Sequence, residues 1–205
     1  MMVWPRLYAI ADASFGDPIR LAEALFEGGA RLIQVRNKSG SSSEVFLQVE
    51  EILRIAPPDA RVIVNDRADA ALVAKAHGVH IGQNDLPCRA ARDILGPSPI
   101  IGVSTHSLEQ ALQAENEPAD YIAVGPVFPT RSKANPEPVL GLEALRTICA
   151  RVRKPVVAIG GITLENAREV FGCGVASVAI ISDLLKSADI ADRMRDWLRY
   201  NQARG

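Results

Sequence analysis

Eight short apolar stretches recur along this chain, and their spacing constrains the fold more than any other feature. They cover residues 6–12, 31–36, 61–66, 78–82, 100–104, 121–127, 155–161 and 177–182. Most are rich in Val and Ile and unbroken by polar residues, which is typical of parallel strands buried on both faces. The intervals between them have room for a helix, so the repeat predicts an α/β fold, a (β/α)8 TIM barrel. In that fold functional residues gather at the C-terminal ends of the strands.

The length and the helix signals agree with this fold. At 205 residues the chain is near the short end of the barrel range, so we expect one domain over residues 1–205. Asp17 before Pro18 predicts a capped helix start, and the serines at 41–43 precede a second helix. The last helix presents Met194 and Trp197 on one face and is expected to close the barrel rather than bind a membrane. The irregular segment 128–140 is predicted to be a mobile loop over the mouth.

Composition and charge exclude several classes of partner. The formal net charge is −1 and the pI is about 6.3, so neither nucleic acid nor an anionic membrane is expected to bind. A secretory signal and a run of membrane-spanning length are both missing, so we expect a cytoplasmic protein. Cys88, Cys149 and Cys173 are scattered and odd in number, which favours reduced, mostly buried thiols.

The residues after the second stretch form an alternating polar strip. Gln34, Arg36 and Lys38 share one face of an extended segment, and Asn37 takes the other. Two cations suit a phosphate or diphosphate, with Arg as a flat bidentate donor and Lys as a point charge. The alternative is a pair of solvated charges at a strand end.

Two carboxylates follow neighbouring strands. Asp66 ends the third stretch and Asp85 comes just after the fourth, so both are expected on the same rim of the barrel. A small number of oxygen ligands, with room for water and substrate oxygens, is typical of Mg²⁺ on a diphosphate. The alternative is that Asp66 caps the helix beginning near Ala68 and Asp85 caps the one after Pro87.

The fifth stretch ends in a serine motif. Ser104 and His106 stand in a sequence close to the G-x-S-x-G elbow, but His106 replaces the final glycine, so an acyl-transfer triad is rejected. Ser104 is interpreted as a hydroxyl donor to an anion or as a helix cap. His80 and His106 are either acid–base groups or hydrogen-bonded core residues.

The last three stretches suggest a second anion site. The relevant residues are Thr130, Ser132 and Lys133 after the sixth stretch, the pair Gly160-Gly161 in the seventh, and Ile181-Ser182 at the end of the eighth. Barrels frequently bind phosphate with the loops after strands seven and eight, and paired glycines let backbone N–H groups approach it. A simple turn is the alternative for the glycines.

Several motifs occur together in order along nearly the whole chain. They are Gln34-x-Arg36-x-Lys38, Asn65-Asp66-Arg67, Gly78-Val79-His80-Ile81-Gly82-Gln83-x-Asp85, Gly102-x-Ser104-x-His106, the segment 120–133 with Gly125-Pro126-Val127-Phe128-Pro129-Thr130-x-Ser132-Lys133, and Ala158-Ile159-Gly160-Gly161-Ile162. This set resembles the thiamine phosphate synthase family. The resemblance implies a transferase of thiamine biosynthesis that joins hydroxymethylpyrimidine diphosphate to hydroxyethylthiazole phosphate, with Mg²⁺ assisting the loss of diphosphate.

The resemblance also implies a role for each site residue. Asp66 and Asp85 would hold Mg²⁺; Arg36, Lys38, Asn65, Ser104 and Lys133 would face the diphosphate; Gln34 would contact the pyrimidine; Thr130 and Ser132 would border the thiazole; and Gly160, Gly161, Ile181 and Ser182 would bind its phosphate. Arg36, Lys38, Ser104 and Lys133 are the expected catalytic set. The expected partners are the two small substrates, with a homo-oligomer as a further option.

Three positions depart from the family pattern, and two other functions remain open. Asn37 stands where Glu is usual, Ser132 where Thr is frequent, and Ala11 where Thr commonly precedes an aspartate. One alternative is the thiazole tautomerase branch, whose members typically have His in place of Pro126 and lack the acidic pair. The other is a non-catalytic barrel that binds a phosphate ligand. The sequence shows no apparent acid–base pair or nucleophile. This absence agrees with the synthase, because its chemistry requires neither.

Overall fold

Eight parallel strands close into a barrel in the computed structural model, which describes residues 4–130 and 137–202. The strands are β1 Leu7–Asp12, β2 Leu32–Arg36, β3 Arg61–Asn65, β4 Gly78–Ile81, β5 Ile100–Thr105, β6 Tyr121–Val124, β7 Val156–Ile159 and β8 Ser177–Ile180. Tyr8 of β1 lies opposite Ala179 of β8, so the sheet has no open edge. The predicted (β/α)8 TIM barrel is confirmed.

Helices follow the strands and cover the outside of the barrel. They are α1 Pro18–Glu27, α2 Ser42–Ile55, α3 Ala68–Val73, α4 Cys88–Leu95, α5 Leu108–Glu115, α6 Gly141–Arg151, α7 Ala167–Phe171, α8 Ser182–Leu185 and α9 Ile190–Gln202. The predicted cap is confirmed, since Asp17 accepts from the Ile19 amide at 3.0 Å. The second helix begins at Ser42, within the serine run that was expected to precede it, and Ser41 caps it by accepting from the Glu44 amide at 3.2 Å. Each cap supplies an acceptor to an amide that has no partner inside its helix.

Alternate side chains divide the core into two parts. Along β1, Leu7 and Ala9 pack toward the helices, whereas Tyr8 and Ile10 fill the barrel interior. Asp12 lies two residues beyond Ile10 on the interior side of the strand, at its carboxyl end. The same alternation brings polar side chains from other strands to the mouth of the barrel.

Five strands, β3, β4, β6, β7 and β8, end earlier than the apolar stretches predict, and local backbone geometry explains three of them. β3 ends before Asp66, whose φ of 61° leaves the extended region. β6 ends before the cis Gly125–Pro126 bond, and Pro126 has no N–H to continue the ladder. β7 ends before Gly160 and Gly161, whose φ values are 101° and 65°.

The last helix is a structural part of the barrel, as predicted. Met194 and Trp197 of α9 are fully buried. The Trp197 indole donates to Asp183 of α8 at 2.7 Å, and Arg193 makes two hydrogen bonds to the same carboxylate at 2.8 and 3.0 Å. α9 therefore holds the short helix α8 in place behind β8.

The cysteines are also as expected. Cys88 and Cys173 are buried, and all three thiols are free. Burial raises the pKa of Cys88 and of Cys149 to about 11, which keeps both as thiols at neutral pH. Across residues 4–130 and 137–202, every helix is too short or too polar to cross a membrane.

Candidate active site

One cavity opens at the carboxyl ends of the strands, and the predicted site residues converge on it. Those that border it are Gln34, Arg36, Lys38, Asn65, Asp66, Asp85, Ser104, Thr130, Gly160, Gly161, Ile181 and Ser182. Ser132 and Lys133 lie outside the described residues, as do residues 131–136 of the segment predicted to be a loop over the mouth. The structure thus brings together residues from strands far apart in sequence, while the role of each residue stays a prediction.

The polar strip after β2 has the predicted alternation. Gln34, Arg36 and Lys38 border the cavity. Asn37 instead donates to Gln48 of α2 at 3.2 Å and accepts from a loop amide at 2.9 Å. The residue that departs from the family pattern therefore supports the β2–α2 loop and leaves the cationic face intact.

Asp12 at the end of β1 is part of the site, although the sequence alone assigned it no role. Its Oδ2 pairs with Arg36 Nη1 at 2.5 Å. Its Oδ1 accepts from the backbone amide and the hydroxyl of Ser14 at 2.9 and 2.8 Å. The Asp12 side chain is 2% exposed and that of Arg36 is 13% exposed, so the pair is poorly accessible to water. The signal was the alternation along β1, which places Asp12 on the interior face beside β2.

The helix-cap alternatives for the two carboxylates and for Ser104 are wrong. The N-cap residues of α3 and α4 are Arg67 and Pro87, and both helices begin without a side-chain cap hydrogen bond. Asp85 accepts from the Gly82 amide at 2.7 Å, within its own loop. Ser107, rather than Ser104, caps α5. All three polar side chains are thus available to the cavity that they border.

The two carboxylates lie close enough to interact strongly. Burial and a hydrogen bond with Asp66 raise the pKa of Asp85 above its ordinary value. Lys38 Nζ approaches Asp66 Oδ2 at 3.0 Å and offsets part of the negative charge. Asp66 adopts a left-handed backbone, which Asp tolerates better than most residues, and its amide donates to the His80 carbonyl at 2.7 Å.

This donor set fits a magnesium ion. Two adjacent carboxylates whose repulsion disfavours joint ionisation gain from a divalent cation between them. Throughout the described parts of the chain, His, Cys, Asp and Glu side chains do not gather in a group of three or more that could hold a metal. A pair of protein ligands leaves positions for water and for diphosphate oxygens, which is the usual arrangement for Mg²⁺.

Both histidines near the mouth are hydrogen-bonded within the barrel. His80 is buried, and its Nε2 lies 2.8 Å from Ser104 Oγ. His106 Nδ1 lies 2.6 Å from the Gly125 carbonyl, which connects β5 to the loop after β6. His106 therefore positions that loop through its ring.

The glycine pair after β7 permits a close approach between two loops. A Cβ on Gly160 would lie 2.6 Å from Pro126 Cα, and one on Gly161 would lie 2.7 Å from the Pro129 carbonyl oxygen. Both glycines also have positive φ. The pair is required where the β7 loop packs on the β6 loop, and its role in binding phosphate stays a prediction.

Gly160→Ala should destabilise the barrel more than a matched glycine substitution outside the site. Gly96 also has a positive φ, of 77°, but nothing lies within 4 Å of its missing Cβ. Gly96→Ala should therefore cost only backbone strain, about 1 kcal/mol. Gly160→Ala adds a backbone clash and should cost about 3 kcal/mol. Urea denaturation of both variants measures the difference, and equal losses would show that the loop packing contributes nothing.

Comparison with known proteins identifies the family. A family model described as thiamine monophosphate synthase matches residues 7–184. The chain belongs to this family. It is 47% identical over 202 residues to a thiamine-phosphate synthase from Koribacter versatilis, covering 95% of each protein. It is 41% identical over 186 residues to one from Pyrococcus abyssi, covering 90% of this chain and 89% of the relative.

A solved structure of the same family has the same barrel. The thiamine phosphate pyrophosphorylase from Pyrococcus furiosus superposes with a TM-score of 0.89 at 38% sequence identity. The match covers 98% of this chain and 97% of that protein. The family resemblance read from the short motifs is confirmed over the whole length of the barrel.

Proposed function

We propose that this chain has thiamine phosphate synthase activity. It joins hydroxymethylpyrimidine diphosphate to hydroxyethylthiazole phosphate and releases diphosphate. The observation that carries the proposal is the division of one cavity into a half with cations and paired carboxylates and a half with a glycine loop.

In the first half, the polar strip and its neighbours hold the diphosphate. Arg36 is oriented by Asp12 and offers its remaining N–H groups to phosphate oxygens. The Lys38 side chain is 55% exposed, so its ammonium group is free to turn from Asp66 to a bound anion. Asn65 and Ser104 border the same cavity. Lys133 is proposed as a further contact of the diphosphate.

Asp66 and Asp85 are the proposed ligands of Mg²⁺. When bound, the ion supplies positive charge that stabilises the departing diphosphate. Asp85 is fixed for this role by the Gly82 amide, and Asp66 by its constrained backbone. The carboxylates follow the adjacent strands β3 and β4, so these two side chains together would hold the ion.

The reaction needs charge stabilisation and alignment more than proton transfer. The C–O bond to the diphosphate breaks, and both electrons leave with the oxygen. The electron-rich pyrimidine stabilises the resulting cation, and the thiazole nitrogen then uses its lone pair to form the new C–N bond. Apolar side chains of Ile10, Ala123, Val157 and Ala179 line the cavity and exclude water that would capture the cation. Gln34 is proposed to hold the pyrimidine.

The second half is proposed to bind the thiazole phosphate. Gly160 and Gly161 present backbone N–H groups beside Ile181 and Ser182, at the start of the extra helix α8. Barrels commonly bind phosphate with the loops after strands seven and eight and such a short helix. Thr130 borders the cavity. Thr130 and Ser132 are both proposed to border the thiazole.

The test supplies both substrates to the purified protein with and without Mg²⁺. Thiamine phosphate should form in the presence of Mg²⁺, and removal of the ion with a chelator should lower the rate by about a hundredfold or more. Added Mg²⁺ should restore the rate. Turnover that is unaffected by the chelator would overturn the metal assignment while leaving the synthase activity in place.

A further inference from the structure

A continuous row of hydrogen bonds crosses the barrel interior and joins Gln34 to Ser104. Gln34 Nε2 donates to the Tyr8 hydroxyl at 3.0 Å. The Tyr8 and Tyr121 hydroxyl oxygens are 3.0 Å apart, and Tyr121 Oη lies 2.8 Å from His80 Nδ1. His80 Nε2 then lies 2.8 Å from Ser104 Oγ. Only the two ends of the row have an assigned role in the proposed function.

The middle of the row is built into the core. Tyr8 and Tyr121 are almost completely buried, and His80 stacks on the Tyr121 ring with 5.6 Å between ring centres. A Cβ on Gly102 of β5 would lie 1.9 Å from Tyr121 Cζ, so glycine at this position leaves the space that the ring fills. Burial raises the pKa of both tyrosines, which therefore keep their hydrogens.

The direction of donation along the row follows from its first member. The amide of Gln34 gives a hydrogen to Tyr8, so the hydrogen of Tyr8 is directed to the Tyr121 oxygen. The Tyr121 hydrogen is then directed to His80 Nδ1, which must accept. A neutral imidazole that accepts at Nδ1 carries its hydrogen on Nε2 and donates to Ser104.

We propose that this row fixes which end of the site donates a hydrogen bond and which end accepts one. Tyr8, Tyr121 and His80 are positioning residues that fix Ser104 as a hydrogen-bond donor to the cavity. Because Ser104 Oγ accepts from His80, its own hydrogen remains for a ligand. At the other end, Gln34 uses Nε2 on Tyr8 and presents Oε1 to the ligand as an acceptor. The two ends thus match an anionic oxygen and an amino group, as on one aminopyrimidine diphosphate. This assignment of ligand groups rests on the proposed function.

The hydrogen position on His80 tests the direction without any ligand. Long-range ¹H–¹⁵N spectra of the ¹⁵N-labelled protein distinguish the two neutral tautomers of a histidine. The chain has 3 histidines, and the His80 signals are assigned by their loss in His80→Asn. We expect hydrogen on Nε2 and none on Nδ1. Hydrogen on Nδ1, with or without hydrogen on Nε2, would overturn the proposal, because Tyr121 could then not donate to His80 and the direction of the row would be lost.

Two matched variants separate positioning from packing, since each loses one hydroxyl and keeps its ring. Tyr121→Phe leaves Nδ1 without a donor, so His80 should shift toward the other tautomer, and kcat should fall about tenfold or more. Tyr8→Phe leaves the Tyr121–His80 bond intact. It should therefore keep the tautomer and kcat, while the KM for the pyrimidine diphosphate rises about tenfold because Gln34 loses its anchor.

The outcomes also distinguish this proposal from the proposed function. An Nε2–H tautomer of His80 in a protein that forms no thiamine phosphate would support the proposed direction of hydrogen donation and contradict the proposed synthase activity. Thiamine phosphate formation together with an Nδ1–H tautomer would do the reverse. The positioning role would be overturned if both tyrosine variants kept the same His80 tautomer, lost equal stability and changed KM and kcat alike. The row would then contribute only to core packing.

Discussion

Asp85→Asn should reduce kcat by roughly 10²- to 10³-fold and leave the protein at least as stable as the native chain. The loss of activity follows from removal of one of two proposed Mg²⁺ ligands. Asparagine keeps an oxygen that accepts from the Gly82 amide, at 2.7 Å in the native protein, so the loop is expected to keep its conformation. Turnover with saturating Mg²⁺ and thermal unfolding without Mg²⁺ measure the two effects separately.

The stability expectation follows from the direction of the Asp85 pKa shift. Burial and the Asp66 carboxylate raise the pKa of Asp85 in the folded protein. A raised carboxyl pKa means that the native state binds the proton more tightly than the unfolded chain. Ionisation at neutral pH therefore disfavours the folded state. Asn removes that ionisation, so relief of repulsion should offset the change in hydrogen bonding.

A surface carboxylate supplies the control for this experiment. Asp59 pairs with Arg31 at 2.8 Å, and its side chain is 69% exposed. Asp59→Asn makes the same chemical change outside the cavity lining and should leave kcat unchanged. Full activity in Asp85→Asn would remove Asp85 from the metal site. A large loss of stability in that variant would instead show that its carboxylate is structural.

The pair of Asp12 and Arg36 should show strong energetic coupling. Asp12→Asn and Arg36→Ala are each expected to lower the free energy of unfolding by about 3 kcal/mol, because each leaves a poorly accessible charge without its partner. The double variant should lose clearly less than the sum of the two, since no unpaired charge remains. Urea denaturation of the four proteins gives the coupling energy.

Enzymatic activity and stability should change differently among these four proteins. Arg36→Ala and the double variant both lack the cation proposed for the diphosphate, so both should remain nearly inactive at temperatures where they are folded. Asp12→Asn should retain some turnover, because Arg36 is present but less firmly oriented. Additive losses of stability would contradict the coupling. Native turnover in Asp12→Asn would show that Asp12 has no part in the site.

The strand pattern was predictable from the sequence because it depends on local composition. Each apolar stretch became a strand, and alternation correctly placed Gln34, Arg36 and Lys38 on the cavity and Asn37 away from it. The exact strand ends were less predictable. They depend on single residues with special backbone geometry, such as Asp66 after β3.

Contacts between distant strands were the part that sequence patterns could not supply. Asp12 is next to Arg36 only because β1 and β2 pair in register. The row through Tyr8 and Tyr121 forms because two rings from opposite parts of the barrel meet where Gly102 leaves space. Local sequence makes helix capping a reasonable alternative for Asp85. Only the folded loop shows that the Asp85 carboxylate accepts from the Gly82 amide instead.

The joining of two substrates in one cavity can be followed directly by ³¹P NMR of a single reaction mixture. The purified protein is mixed with hydroxymethylpyrimidine diphosphate, hydroxyethylthiazole phosphate and Mg²⁺. We expect the substrate signals to decline together while thiamine phosphate and free diphosphate appear in equal amounts. Unchanged spectra, together with isomerisation of the thiazole phosphate precursor in a parallel sample, would contradict the synthase and favour the tautomerase branch of the family.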